Sequence, residues 1–505
     1  MASEILRVKP DAENPHVRFD EWKVASQSPT VGRPEGATMR GVKPRLGSLL
    51  FNRIGWLLFA FLVLTARADG LLPSRIEWFK DQKLALMMHF GLYSEVGIIE
   101  SWPLSDADAY WSRTEIERDV ATNGFKEAYF ALNRSFNPLR FRPDEWADEA
   151  VRGGFKYIIL TTKHHDGFCL YDTKYTDYKV TDKSCPFSTN PNADIVKACF
   201  NACRKRGLGI GAYFSKADWH HDDFWEDSGI GRLTNRGVTY DTTARPEKWN
   251  GFKEFFRNQV LELVGEYGPL DILWMDGGWM RSNGKMNLGV KDVIAEARKV
   301  NPGLIAVDRH DPGSCEDIKT PEQFVPGKAD DRAWESCVTM AANWGYHYDD
   351  TYKSPRELIH MLIDVVAKGG NLALNVGPMP DGRLPHPAVE RMREMGAWLD
   401  KFGRAIYATR PLAPYRKGKW AFTKGKDGTR YAIRLWGENT PASTLFIPWD
   451  DVLKDVTAVR HLVTGATCPV RKIENPMLNE SGFEFVFPAE SLRDNYADVF
   501  VLCGE

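Results

Sequence analysis

Long apolar runs are almost missing from these 505 residues, and the one present, Trp56-Leu57-Leu58-Phe59-Ala60-Phe61-Leu62-Val63-Leu64, is too short to span a bilayer comfortably. Cysteine is sparse too. Eight residues (Cys169, Cys185, Cys199, Cys203, Cys315, Cys337, Cys468, Cys503) exclude a disulfide-built scaffold, although an oxidising compartment would permit a bridge or two. Net charge is nearly absent, with 66 Lys+Arg against 68 Asp+Glu, so no long-range field recruits nucleic acid or an acidic membrane. There is no helical His-Glu-x-x-His pairing, and Cys199 and Cys203 lack two further ligands at a metal-site spacing.

What is there begins with the short apolar run itself. It follows Arg45 and Arg53 and ends at Ala66-Arg67-Ala68, the basic, apolar and small-x-small succession of a secretory signal peptide. The expectation is a signal over 39–68 with translation from Met39, a disordered polar extension over 1–38, and a secreted or periplasmic product. A signal-anchor reading of the same segment would instead hold the chain on a membrane. Aromatics are plentiful, at 17 Trp, 17 Tyr and 27 Phe. Most fill a core, but flat rings also stack on the C–H faces of sugars.

From about residue 75 to 408, short apolar runs alternate with amphipathic helical stretches, the pattern of repeated βα units. Strands are expected at Leu84–Phe90, Tyr157–Thr162, Gly209–Ser215, Asp271–Asp276, Leu304–Asp308 and Leu372–Val376. So many repeats predict an α/β fold, a (β/α)8-type barrel, TIM-like. Residues 409–505 change to short strand-like runs broken by Gly, Pro, Asn and Asp, which predicts a C-terminal antiparallel β-sandwich domain.

In such a barrel the site is built at the C-terminal ends of the strands. The apolar runs there end in His89, in His164-His165-Asp166, in Tyr213-Phe214-Ser215, in Trp274-Met275-Asp276 and in Asp308-Arg309-His310. Imidazoles, carboxylates, an Arg and a Trp gathered at one rim suit glycoside hydrolysis, which needs one carboxylate to attack the anomeric carbon and a second carboxyl to protonate the departing oxygen. Asp276 fits the nucleophile, with Trp274 and Arg309 to orient the sugar. For the second acid the residues leave Glu322 and Glu335 open, both in the long segment after the fifth strand. A metal centre on His164-His165-Asp166 or His220-His221-Asp222-Asp223 is the rival reading; adjacent histidines on an extended segment would point to opposite faces, which speaks against it.

The segments Lys163-His164-His165-Asp166-Gly167-Phe168, Leu273-Trp274-Met275-Asp276-Gly277, Trp334-Glu335-Ser336-Cys337, Trp344-Gly345-Tyr346 and Asn371-Leu372-Ala373-Leu374-Asn375-Val376-Gly377-Pro378 together resemble the α-L-fucosidases of glycoside hydrolase family 29, in order from about residue 75 onward. The resemblance implies a retaining exo-glycosidase that hydrolyses terminal α-L-fucosides of a glycan or oligosaccharide, with no cofactor and no metal. It implies Asp276 as nucleophile, His89, His164, His165, Tyr213, Trp274 and Arg309 as fucose contacts, and Glu335 ahead of Glu322 as acid/base. The first strand reads His89-Phe90-Gly91 where most relatives have His-Trp-Gly, and Glu100-Ser101-Trp102 lacks the usual adjacent Glu-Trp pair. Those departures leave room for a related sugar, and a non-catalytic glycan-binding protein on the same fold is the alternative. Neither a nucleic-acid partner nor stable membrane insertion is expected, and self-association is left open.

Overall fold

The computed structural model describes residues 71–105, 109–113, 122–226, 235–437, 444–448, 453–475, 480–487 and 494–504. The expectations for residues 1–68 lie outside them. Among the described residues no helix is long and apolar enough to cross a membrane.

The chain opens with α1 (Pro73–Gln82) and β1 (Leu84–Met88), then α2 (Thr122–Phe130), α3 (Pro143–Arg152), β2 (Tyr157–Lys163), α4 (Ile195–Lys205) and β3 (Gly209–Ser215). It continues through α5 (Pro246–Glu266), β4 (Ile272–Asp276), α6 (Val290–Val300), β5 (Ile305–Asp308), β6 (Glu335–Thr339), α7 (Pro355–Ala367), β7 (Asn371–Val376) and α8 (His386–Phe402). The helices carry their boundaries in local chemistry. In α3, Pro143 opens the first turn, Asp144 and Glu145 follow at the positive end of the helix dipole, and Arg152 closes the last turn. In α7, Ser354 and Glu357 form a reciprocal capping box.

The seven strands make one parallel, curled sheet in the order β5-β4-β3-β2-β1-β7-β6. Every residue of β1, β2 and β7 is buried, as strands covered on both faces must be. Alternate side chains split between two cores. Ala85, Met87, Tyr157, Ile159, Tyr213, Ile272, Trp274, Ile305, Val307, Cys337 and Ala373 fill the inside of the curl, while Leu84, Leu86, Ile158 and Leu160 pack outward against the helices.

Between β5 and β6 lies a segment with almost no regular strand, yet its backbone is paired on both sides. Asp317 N–H donates to Ala306 O (3.0 Å) on the β5 side; Lys319 N–H donates to Ala333 O (3.0 Å), Glu335 N–H to Lys319 O (2.8 Å) and Cys337 N–H to Pro321 O (3.0 Å) on the β6 side. The expected strands at Tyr157–Thr162, Gly209–Ser215 and Leu372–Val376 agree with β2, β3 and β7 to within a residue. β6 was not among the expected strands.

The described residues beyond 408 form two antiparallel sheets. One has six strands, ordered β13 (Thr467–Pro469), β12 (Val456–His461), β16 (Ala497–Gly504), β10 (Arg430–Leu435), β9 (Trp420–Gly425) and β8 (Thr409–Lys417). The other has three, ordered β11 (Thr444–Pro448), β15 (Glu480–Val486) and β14 (Arg471–Asn475). They share a core of Trp420, Phe422 and Phe500 from the first with Leu445, Ile447, Phe483 and Phe485 from the second. None of the eight cysteines is in a disulfide, so no bridge braces the described chain.

Candidate active site

Because the sheet is parallel, the last residues of its strands face one rim. β4 ends on Asp276, whose Oδ2 accepts from the Tyr213 hydroxyl (2.8 Å) and whose Oδ1 accepts from the Gly277 backbone N–H (2.8 Å) and from Arg309 Nη1 (3.1 Å). Burial pushes this carboxyl up, but the Arg309 charge, with the smaller help of His165, Tyr213 and Gly277, outweighs it and holds Asp276 well below the usual carboxylate range. The result is a carboxylate fixed in place and ionised at ordinary pH.

Three histidines stand beside it. Asn375 donates its Nδ2–H to Trp344 O (2.7 Å), which leaves Asn375 Oδ1 to accept from His89 Nδ1 (2.7 Å). Ser215 donates to Ala217 O (2.6 Å), so its oxygen accepts from His165 Nδ1 (2.6 Å). In both rings the proton therefore sits on Nδ1, and Nε2 is left as a lone pair. His165 Nε2 has no partner and lies 3.8 Å from Asp276 Oδ2, a buried acceptor that a hydroxyl group would satisfy. His164 bonds Ser101 Oγ through Nδ1 (2.6 Å). Burial lowers His89 and His165 to about 4 and His164 further, so all three are neutral at ordinary pH.

Aromatic faces complete the wall. Tyr213 stacks on Trp274 (5.5 Å between centroids), Arg309 lies over Trp274 (5.2 Å) and Trp344 packs on His89 (5.1 Å). Trp102, after β1, lies against His165 (5.1 Å). Glu100, buried just before it, accepts from Gly345 N–H (2.8 Å), pinning the 344–346 loop across the top of β7. The seven residues His89, His164, His165, Tyr213, Trp274, Asp276 and Arg309 are thus brought together.

The two glutamates are not alike. Glu322 is the partner of Arg309 Nη2, so one guanidinium touches both Asp276 and Glu322, and its side chain is 40% exposed at the rim. That shared contact keeps the nearer oxygens of the two carboxylates within roughly 8 Å. Glu335 is the first residue of β6, at the opposite end of the sheet, with no solvent exposure and its carboxyl on the Tyr157 hydroxyl. Six residues of β3 separate the level of Tyr157 from that of Asp276, since Tyr157 pairs with Gly209 and Asp276 with Ser215. At ~3.3 Å per residue the intervening distance is roughly 20 Å. The preference for Glu335 as acid/base is therefore corrected: strand direction puts it beyond the reach of Asp276.

A second difference concerns His164 and His165. Their segment turns at the end of β2 instead of staying extended, and the rings lie 4.2 Å apart on the same pocket. The other pair is used up in packing: His220 stacks on Tyr178 (3.9 Å), and His221 Nδ1 accepts from Asp223 N–H (3.1 Å). Among the described residues no three His, Cys, Asp or Glu stand together as a metal site requires.

Trp344, Trp102, Ser101, Ser215 and Asn375 stand in segments that the sequence singles out, but no site role was expected of any of them. Ser215 and Asn375 close apolar runs, the same signal that picked out Asp276; the other three lie in loops without a periodic signal.

A fixed carboxylate, a second acid on the same guanidinium, neutral imidazoles offering lone pairs and aromatic faces at the rim of a parallel sheet make this the site of a glycoside hydrolase. Residues 72–404 match the family described as Alpha-L-fucosidase, and the chain belongs to that family and is an enzyme of its class. It is similar to human plasma alpha-L-fucosidase, 30% identical over 415 residues that span 77% of this chain and 81% of the relative. Among solved structures it resembles alpha-L-fucosidase isoenzyme 1 from Paenibacillus thiaminolyticus, with a TM-score of 0.68, 28% identity and coverage of 85% of this chain and 99% of the other. It also resembles a GH29 alpha-L-fucosidase from Bacteroides thetaiotaomicron, trapped as a covalent intermediate with 2-fluoro-fucosyl fluoride in a glutamate-to-glutamine mutant, at a TM-score of 0.68, 25% identity and coverage of 87% and 100%.

Proposed function

We propose that this chain hydrolyses terminal α-L-fucosides of a glycan by a retaining double displacement, with Asp276 as nucleophile and Glu322 as acid/base. The observation that carries this reading is the single Arg309 guanidinium shared by the two carboxyl groups. In the first step an Asp276 oxygen bonds C1 of fucose while the C1–O bond to the aglycone breaks and Glu322 delivers its proton to the departing oxygen. In the second, Glu322, now a carboxylate, takes a proton from water; the water oxygen bonds C1 and the ester to Asp276 breaks. His89 and His165 accept from sugar hydroxyls through their bare Nε2 atoms, and the rings of Trp344 and Trp102 cover apolar faces. A covalent intermediate in the Bacteroides relative, trapped with a Glu replaced by Gln, supports both steps.

The parallel sheet, with the irregular segment between β5 and β6 as its missing stave, is read as a (β/α)8 barrel over 75–408, and the two antiparallel sheets as a sandwich over 409–505. Export through the 39–68 segment is part of the same proposal; N-terminal sequencing of the protein from culture medium tests it, and an intact segment in the cell fraction would end it.

The chemistry is tested with an aryl α-L-fucoside. Asp276→Ala should lose turnover and, with azide, yield fucosyl azide of inverted configuration. Glu322→Ala should cleave substrates with good leaving groups and yield azide of retained configuration. Full activity in Asp276→Ala refutes the nucleophile assignment, and unchanged turnover of poor leaving groups in Glu322→Ala refutes the acid/base assignment.

A further inference from the structure

Glu335 lies at the barrel floor, fully buried, where the proposed displacement makes no direct use of it. Its Oε2 receives the Tyr157 hydroxyl, which in turn receives Asn371 Nδ2–H (3.2 Å). Its Oε1 is buried without a hydrogen-bond partner, and so is the indole nitrogen of Trp274. These two orphans are neighbours: burial pushes the Glu335 carboxyl up to about 7, and Tyr157 and the Trp274 N–H are the two groups that pull it back. A buried carboxyl in an apolar barrel is costly, and a methionine of similar size would fill the space without that cost.

Trp274 stands between Glu335 and the rim, paired with Tyr213 four residues of β3 above the level of Tyr157. Tyr213 stacks on one side of it and Arg309 lies over it, and these are the two side chains that hold Asp276. A buried indole is fixed in its plane by whatever accepts its N–H. A carboxyl steadied by Tyr157 and Asn371 is the acceptor next to that indole, on a ring that both groups holding Asp276 touch.

We propose that Glu335 is a positioning residue: through the Trp274 indole it sets the platform on which Tyr213 and Arg309 orient Asp276, and so acts on the reaction from the opposite end of the barrel. This rests on reading Asp276 as the nucleophile. A small misplacement of a reacting group is enough to slow a displacement strongly, so such a residue shows in kcat more than in KM.

The experiment compares Glu335→Gln, Glu335→Met, Trp274→Phe and the Glu335→Met/Trp274→Phe double variant in full-length protein, with an aryl α-L-fucoside. Glu335→Gln retains an acceptor for the indole and should stay within about threefold of wild type. Glu335→Met should lower kcat about tenfold with KM changed less than twofold, and Trp274→Phe should do likewise. The double variant should lose no more than either single one, because both remove the same contact. Additive losses, or a Trp274→Phe variant with wild-type kcat, overturn the proposal, and the latter decides even where Glu335→Met does not fold. A thousandfold loss in Glu335→Gln that azide restores would overturn it differently, by making Glu335 itself the acid/base; the Asp276 assignment would stand or fall separately on its own variant.

Discussion

Replacing Arg309 with methionine removes the one charge common to both carboxyl groups. Arg309 is 8% exposed, gives Nη1 to Asp276 at 3.1 Å and Nη2 to Glu322, and rests on Trp274. Losing a charge-assisted contact to a buried carboxylate costs about 1.5–3 kcal/mol, and the exposed Glu322 adds little because water screens it. If that whole cost appears in the transition state, kcat/KM at pH 7 falls roughly 10- to 150-fold. The pH profile is the sharper readout. In the wild type the folded Asp276 lies well below its ordinary 3.8, so it stays ionised, and the stability that this ionisation contributes is present above 3.8 and lost only as the pH falls through the depressed value. Without the guanidinium, only His165, Tyr213 and Gly277 oppose the desolvation, and Asp276 moves up toward the ordinary carboxylate range. Attack requires the ionised form, so the acid limb of kcat/KM should shift upward by at least one pH unit. Rates measured from pH 3.5 to 8 on an aryl fucoside, with folding checked by circular dichroism at each pH, decide it. An acid limb in Arg309→Met superimposable on that of wild type would refute the claim that Arg309 sets the charge of Asp276.

Two further outcomes follow from the walls of the pocket. Ser215→Ala leaves His165 Nδ1–H without its acceptor and frees the ring to take the other tautomer, so KM should rise about five- to tenfold and the thermal midpoint should fall, as steady-state kinetics and calorimetry would register. Gly377→Ala would bring a Cβ to 2.3 Å from Gly345 C and Tyr346 N, both backbone atoms that cannot swing aside; the loop bearing Trp344 must move, raising KM with kcat nearly unchanged, and wild-type KM would refute that contact.

Much of this site was legible because a parallel strand states its direction in its sequence. Apolar runs that end in a polar residue deliver that residue to the rim, and Asp276, His89, Tyr213 and Arg309 were all found that way. Where the signal failed, the cause was a missing periodicity. The turn after Lys163 that brings His164 and His165 onto one face is a local backbone choice that alternation does not encode. The segment carrying Glu322 gains its pairing only from neighbours on either side, so neither a strand nor a helix pattern marks it.

Glu335 is the instructive case, because the information to place it was present and a motif overrode it. The residues Ser336-Cys337-Val338-Thr339-Met340 that follow it form the buried run, with Trp334-Glu335 at its beginning. By the rule that located Asp276 at the end of β4, a polar residue that starts a run belongs to the floor. A resemblance of four residues pointed to chemistry; strand polarity pointed to the far end of the sheet, and polarity is the stronger constraint, since no side chain spans a strand's length. The same logic makes the floor worth reading in any enzyme of this architecture. A buried acid there cannot meet the substrate; here its carboxyl takes the Tyr157 hydroxyl and stands beside the indole of Trp274, two residues before Asp276 on the same strand.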